Sequence, residues 1–363
     1  MKKFLIALTA LSLVLIMALT GCSCIPEEPL TFNQNFSGSL NATPLGANYK
    51  ETLTYKVKRE DAYSTYLKKS DNIPSDIIPD FDGEYVTRFV ASVSLPDHVK
   101  TNLNYQGGEI HHLQTELNVT VTMKDGKTYD DKIVSDSYFY SSGFSYAPIY
   151  AIQTAKNTLL IYDNSSFKTA TTVTQYITTY NQNSYKLEKR ELATTDLVLL
   201  ENADVDALHL DNSPLSLLDA KEYEYNAREV IDNTQLFFAL RNFDVAEDGS
   251  KNLPTVAPIY GEDKSLLVKN FDSNTRSFTL DNQGTKATFD IPLKYYSLAI
   301  NATYNTGISQ VIALQTKEAK DASNQSLLSN KCLPVEIAQP LTEYGASYLM
   351  VGVLTYTLVG VSY

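Results

Sequence analysis

Around residues 113–123 every second position is apolar or small: Leu113, Thr115, Leu117, Val119, Val121 and Met123, with Gln114, Glu116, Asn118, Thr120 and Thr122 between them. A helix repeats its buried positions every three or four residues, whereas a strand with one dry and one wet face repeats every two. The run ends in Lys124-Asp125-Gly126-Lys127, where Asp followed by Gly predicts the positive φ values of a tight hairpin turn, and residues 128–140 supply the return strand. A chain organised by such a hairpin is built on antiparallel sheet with a solvated face.

The same period recurs along the chain. Glu51-Thr52-Leu53-Thr54-Tyr55-Lys56-Val57-Lys58 alternates, and residues 171–180 and 185–195 flank the polar Asn181-Gln182-Asn183-Ser184 as a second pair. Strands are also predicted at 264–269, 276–280 and 285–291, the last two joined by Asn282-Gln283-Gly284. Residues 317–330 are polar and read as a loop or short helix. One main helix is expected after residue 225, where Ala227, Val230, Ile231, Thr234, Phe237, Phe238 and Arg241 fall three and four apart and Asn226 is placed to cap the start. The predicted class is therefore mainly β (α+β), an antiparallel meander or curled half-barrel sheet with one main helix packed on it. The composition agrees, since 25 tyrosines and 14 phenylalanines favour a pleated surface.

Residues 345–363 carry no charge, a length able to cross a membrane. Their odd positions, Val351, Val353, Thr355, Thr357, Val359 and Val361, form a β-branched row, and leucine is sparse. A long buried terminal strand is expected there.

The chain opens Met1-Lys2-Lys3, continues uncharged to Thr20 and reaches Leu19-Thr20-Gly21-Cys22. Two lysines, an apolar core and small residues before a cysteine make an export signal, and the last four residues resemble the lipobox of bacterial lipoproteins. That resemblance implies cleavage between Gly21 and Cys22 and a diacylglyceryl group on Cys22. The expected layout is a signal peptide over 1–21, a lipidated flexible tether over 22–48, rich in Pro, Asn, Ser and Gly, and a β-rich region over 49–363, as one domain or two lobes dividing near 205–225. The expected address is the extracytoplasmic side of a cell membrane, with the membrane itself as a partner. Export also makes a disulfide between Cys24 and Cys332 chemically open.

Loss of Lys2 and Lys3 with the signal takes the formal charge from −12 to about −14, which disfavours nucleic acid and anionic headgroups. Motifs that carry chemistry fail one by one. His111 and His112 point to opposite faces of a strand, where exposed edge histidines are expected; His98 and His209 complete the histidines. Asp244-Val245-Ala246-Glu247-Asp248-Gly249 echoes a calcium loop but offers Ala246 and Thr255 where ligands are required, and Asp80-Phe81-Asp82-Gly83-Glu84 reads as a solvated turn. Ser165-Ser166-Phe167-Lys168 satisfies S-x-x-K without its companion motifs, and Gly143-Phe144-Ser145-Tyr146-Ala147 lacks the last glycine of a nucleophile elbow. No catalytic residue, metal or cofactor is expected.

In order, the opening strand Glu51-Thr52-Leu53-Thr54-Tyr55-Lys56-Val57, the segment Asp232-Asn233-Thr234-Gln235-Leu236-Phe237-Phe238-Ala239-Leu240-Arg241 and the closing Pro334-Val335-Glu336-Ile337 resemble uncharacterised bacterial surface lipoproteins with the half-barrel architecture of lipoprotein-localisation chaperones. The resemblance implies a shape and no site. A non-catalytic binding module for a lipophilic ligand or an envelope component is the expected function, with an envelope scaffold as the alternative and a cell-wall or peptide hydrolase behind both.

Overall fold

A computed structural model describes residues 49–363 except 65–66, 101–108, 143–144, 164, 182–183, 226–229, 243–244, 246–248, 258–262, 301–308, 328–331 and 344–348. The signal, Gly21, Cys22, the tether and Cys24 therefore lie outside the described residues, as do Asn226 and most of the Asp244–Gly249 segment.

The strands are β1 (Lys50–Glu60), β2 (Asp80–Val90), β3 (Ile110–Thr122), β4 (Thr128–Ser142), β5 (Ser145–Tyr162), β6 (Phe167–Tyr180), β7 (Ser184–Glu191), β8 (Ser216–Glu224), β9 (Ile231–Asp232), β10 (Ser250–Val256), β11 (Asp263–Asn282), β12 (Thr285–Ile300), β13 (Ser309–Gln315), β14 (Pro334–Thr342) and β15 (Met350–Ser362). They form one sheet in the order β8-β7-β6-β5-β4-β3-β2-β1-β15-β14-β13-β12-β11-β10-β9. Strands β1 and β15 thus sit side by side in the middle, and a meander runs outward from each. Neighbours are antiparallel except for the two-residue β9 on β10. A short parallel contact of β11 with β15, Asp281 opposite Gly360 and Asn282 opposite Val361, curls the last five strands onto themselves.

The hairpin of β3 and β4 forms, with Thr122 opposite Thr128. Its turn differs in detail. Only Gly126 has positive φ, at 87°, while the Gly126 N–H donates to the Met123 carbonyl and the Met123 N–H to the Lys127 carbonyl. This is a type I turn closed by a glycine bulge, in which the Asp125 carboxylate accepts from the Lys127 N–H at 2.9 Å. Between β11 and β12, Gln283 and Gly284 both take positive φ, as a two-residue hairpin requires.

Other expectations change. Residues 264–280 lie in a single strand, β11, and Asp80–Glu84 belongs to β2, where Asp82 pairs with Lys56 and Asp80 with Lys124 on the wet face. The expected long terminal strand is β15, largely buried, with Val351 and Val353 on one face and Gly352 on the other. Register slips between Thr54 and Tyr55 of β1, so Val359 is an extra, partly exposed residue that breaks the β-branched row.

The largest departure is the helix. Ile231 and Asp232 are strand, and the run that follows is broken: a 3-10 turn at Asn233–Gln235, an α-turn at Leu236–Ala239 and a second 3-10 turn at Leu240–Asn242. Its cap is Asp232, whose carboxylate accepts from the Thr234 N–H at 2.7 Å. This segment is a plug packed against β1, β2, β4 and β5. Leu236, Phe238, Ala239 and Leu240 are all buried, and the Phe238 ring stacks on Phe89 at 4.6 Å beside Phe139 and Tyr146. Tertiary packing of these side chains overrides the three-and-four spacing and sets the backbone of the segment.

Polar bonds fasten the plug. The Tyr180 hydroxyl donates to Asp232, and Gln235 Nε2 donates to the Tyr146 carbonyl at 2.8 Å. Arg241 meets Glu51 of β1 through two hydrogen bonds of 2.5 and 3.0 Å, with both side chains buried. Removing one partner of such a pair costs about 3–5 kcal/mol because the other charge is left buried.

Candidate functional site

Three polar constellations stand out among the described residues. The first lies on the outer face of β3 to β6. The short helix Val205–Leu210 packs there and delivers His209 to Asp136, Nε2 to Oδ2 at 2.7 Å, while His112 Nε2 meets the other carboxylate oxygen at 2.5 Å. Thr154 Oγ1 stands 2.9 Å from His209 Nδ1 and accepts from Gln175 Nε2 at 3.0 Å. Burial alone would raise the Asp136 pKa, but the hydrogen bonds from both histidines outweigh it and hold the carboxyl well below its usual range.

Hydroxyl, imidazole and carboxylate in sequence have the connectivity of a nucleophile triad. Thr154 and Gln175 are 0% exposed, however, so no substrate reaches the hydroxyl. The cluster fastens the helix to the sheet. The histidines expected at an exposed strand edge are thus placed differently. β3 is internal, His111 is buried against Phe89 and Phe139 with its pKa lowered by burial, and His112 stacks on Tyr138 at 4.5 Å. Among the described residues no three of His, Cys, Asp or Glu converge as a metal site.

A second constellation is a polar groove of about 500 Å³ on the wet face of β1 to β5, lined by Lys56, Asp82, Asn118, Asp131, Lys132 and Lys156. Burial raises the Asp131 pKa to about 6, opposed by the hydrogen bonds of Thr158, whose N–H donates at 2.8 Å.

The third is a cleft of about 620 Å³ at the curled end. Because β11 and β15 run parallel and touch only near Asp281 and Gly360, residues 272–276 of one and 355–357 of the other face each other across the opening that precedes the contact. β14 contributes Glu336, paired opposite Thr357, and β12 contributes Tyr295, paired opposite Asp272. The end of β1 and the segment after it bring Glu60 and Tyr63 to the wall.

The centre of the cleft is an ion pair. Arg276 Nη1 donates to Glu336 Oε2 at 2.5 Å, and the Tyr63 hydroxyl donates to the same oxygen at 3.2 Å. The Glu336 side chain is 8% exposed while that of Arg276 is 48% exposed, so the guanidinium fork opens into the cleft above a buried carboxylate. Burial raises the Glu336 pKa against the pull of Arg276 and Tyr63. Tyr63, Phe271, Tyr295 and Tyr356 give the walls aromatic surface, and Glu60, Asp272 and Glu336 outnumber Arg276, so the cleft carries net negative charge. Such a site offers stacking faces, donors and acceptors to a polar ligand and repels an anion.

None of the residues weighed in the sequence as catalytic or metal-binding enters this cleft; Glu336 does, from the closing segment Pro334-Val335-Glu336-Ile337. Lys168 pairs with Asp163 at 2.5 Å on the surface, far from the role S-x-x-K implies, and Gly143, Phe144 and the Ser145 side chain lie outside the described residues. Cys332 is buried just before β14 with φ of 46°. Glu336 was visible only as a single charge in the apolar run Val335-Glu336-Ile337, which is the signal that marks it.

No family model matches the sequence, and no curated protein matches it. Among solved structures the chain is similar to the crystal structure of a β-barrel-like protein of a domain of unknown function, DUF1849, from Brucella abortus, with a TM-score of 0.45 and 8% identity over 86% of this chain and 97% of that one.

Proposed function

We propose that this chain is an extracytoplasmic lipoprotein, tethered through Cys22, whose folded part is a non-catalytic binding module for an envelope component. The ligand seats in the cleft between β11 and β15. The observation that carries this reading is the Arg276–Glu336 pair, with a half-exposed guanidinium held over a buried carboxylate among four aromatic rings. Net negative charge there favours a neutral or aminated polyhydroxylated ligand, such as a sugar, whose C–H face stacks on tyrosine and whose hydroxyls meet Arg276. The space a lipophilic ligand would take between the plug and β2, β4 and β5 is filled by Phe238 and its neighbours. A non-catalytic role is supported by the sealed position of Thr154.

Calorimetric titration of neutral and amino sugars tests the site. A wild-type chain that binds a member of the panel, with Arg276→Ala weakening it by about tenfold or more, fits the loss of a charge-assisted hydrogen bond. No binding across the panel, or equal binding by Arg276→Ala, rejects it, and turnover of a sugar polymer would replace the module with an enzyme. The tether has its own test: Cys22→Ala is expected to abolish metabolic labelling by a palmitate analogue, and unchanged labelling removes the lipid from the account.

A further inference from the structure

The sheet ends on β8, and among the described residues no strand pairs with its outer edge. Apart from Tyr223 the whole strand is exposed, with Leu217 and Leu218 at 52% and 47%. Nearby, the helix Leu197–Glu201 exposes Leu197, Val198 and Leu199, and Leu210 is exposed as well. An open edge of unpaired peptide groups beside exposed leucines is a template for another strand unless its charges forbid pairing.

The charges of β8 decide what it accepts. Two copies joined by a two-fold axis pair their edges antiparallel. Peptide groups that point outward alternate along a strand, and both copies share the same alternation. Directly opposed residues must therefore have numbers of the same parity, so the axis passes through a residue and never between two. The regular run begins after the irregularity near Leu218. An axis at Asp219, Lys221 or Glu222 sets that charge against itself. An axis at Ala220 sets Asp219 against Lys221 of the second copy, twice, with the small Ala220 facing itself.

Asp219 and Lys221 lie on one face and already pair within the strand at 2.9 Å. The Ala220 register would gather four alternating charges on that face and bring Leu217 and Leu218 beside the second strand. We propose that β8 is a self-pairing edge, through which two copies of this chain join antiparallel about Ala220 into one continuous sheet. This interface stands apart from the cleft and does not depend on it.

The test uses the full chain in mild non-ionic detergent. Ala220→Cys is expected to form an intermolecular disulfide under mild oxidation, because the two copies of this position meet on the axis. Glu222→Cys is not, since its copies lie about 13 Å apart along the strands, beyond disulfide reach. The unsubstituted chain, with its own three cysteines, gives the background. In sedimentation, Asp219→Lys and Lys221→Asp each set like charges opposite and are expected to weaken the dimer by about tenfold, whereas the double exchange D219K/K221D restores it to within about twofold. A wild-type chain that stays monomeric to about 100 μM, equal crosslinking at positions 220 and 222, or a double exchange no tighter than the single ones overturns the proposal.

Discussion

Asp131 shows how one side chain sets a property that can be measured. It lies at the polar groove, and burial raises its pKa to about 6, against about 3.9 in an unfolded chain. The folded state then binds more protons than the unfolded state between these values, so its contribution to stability falls as pH rises through that window. Asp131→Asn keeps an acceptor for the Thr158 N–H and removes the charge. The variant is expected to exceed the wild type by about 1–2 kcal/mol at pH 8, a figure discounted for partial exposure, with the gain gone by about pH 4. Urea midpoints across this range check it, and a pH-independent difference would assign the effect to packing. The sequence does not show this residue as special, because Asp130 and Asp131 look alike until the Thr158 N–H is brought to one of them. The same holds at the cleft, where Arg276 and Glu336 lie on strands that are not neighbours and are joined only by the curl of the sheet.

Among the elements, only some strands were legible: β2 was read in part as a turn, and β5, β8, β10 and β13 were not read at all. Residues with period two, as in β1, β3, β4 and β6, declare themselves because one face of each meets water. The glycine in β2 adds a constraint that periodicity misses. A Cβ on Gly83 would lie 2.1 Å from the Asn118 carbonyl oxygen and 2.8 Å from Val119 Cα, both backbone atoms of β3 that cannot swing aside. Gly83→Ala is expected to lower stability by about 2–4 kcal/mol by forcing β2 from β3, where an exposed strand glycine would gain from the same change. Equal or greater stability in denaturant would show that the two strands separate easily. The plug was legible as an apolar helical run but not as three short turns, because the packing of Leu236, Phe238, Ala239 and Leu240 against distant strands sets its backbone.

At the scale of the molecule, the two termini of the folded part meet in the centre of the sheet, Thr52 opposite Ser362. No local pattern announces that pairing. It joins the two meanders, and the contact of β11 with β15 leaves a polar cleft beside the curled end. The wet outer face, with Lys56, Asp82, Lys124 and Asp80 paired across it, is suited to water and not to lipid. Among the described residues the cleft at the curled end joins aromatic walls to a half-exposed guanidinium, which the groove on β1 to β5 does not. The most direct measurement is crystallographic, using a library of hydroxylated, aminated and apolar fragments soaked into the protein. Hydroxylated and aminated fragments are expected to collect between β11 and β15, against Arg276 and Tyr295, while the space around Phe238 admits none. Apolar fragments seated between the plug and the sheet, with the cleft empty, would contradict it.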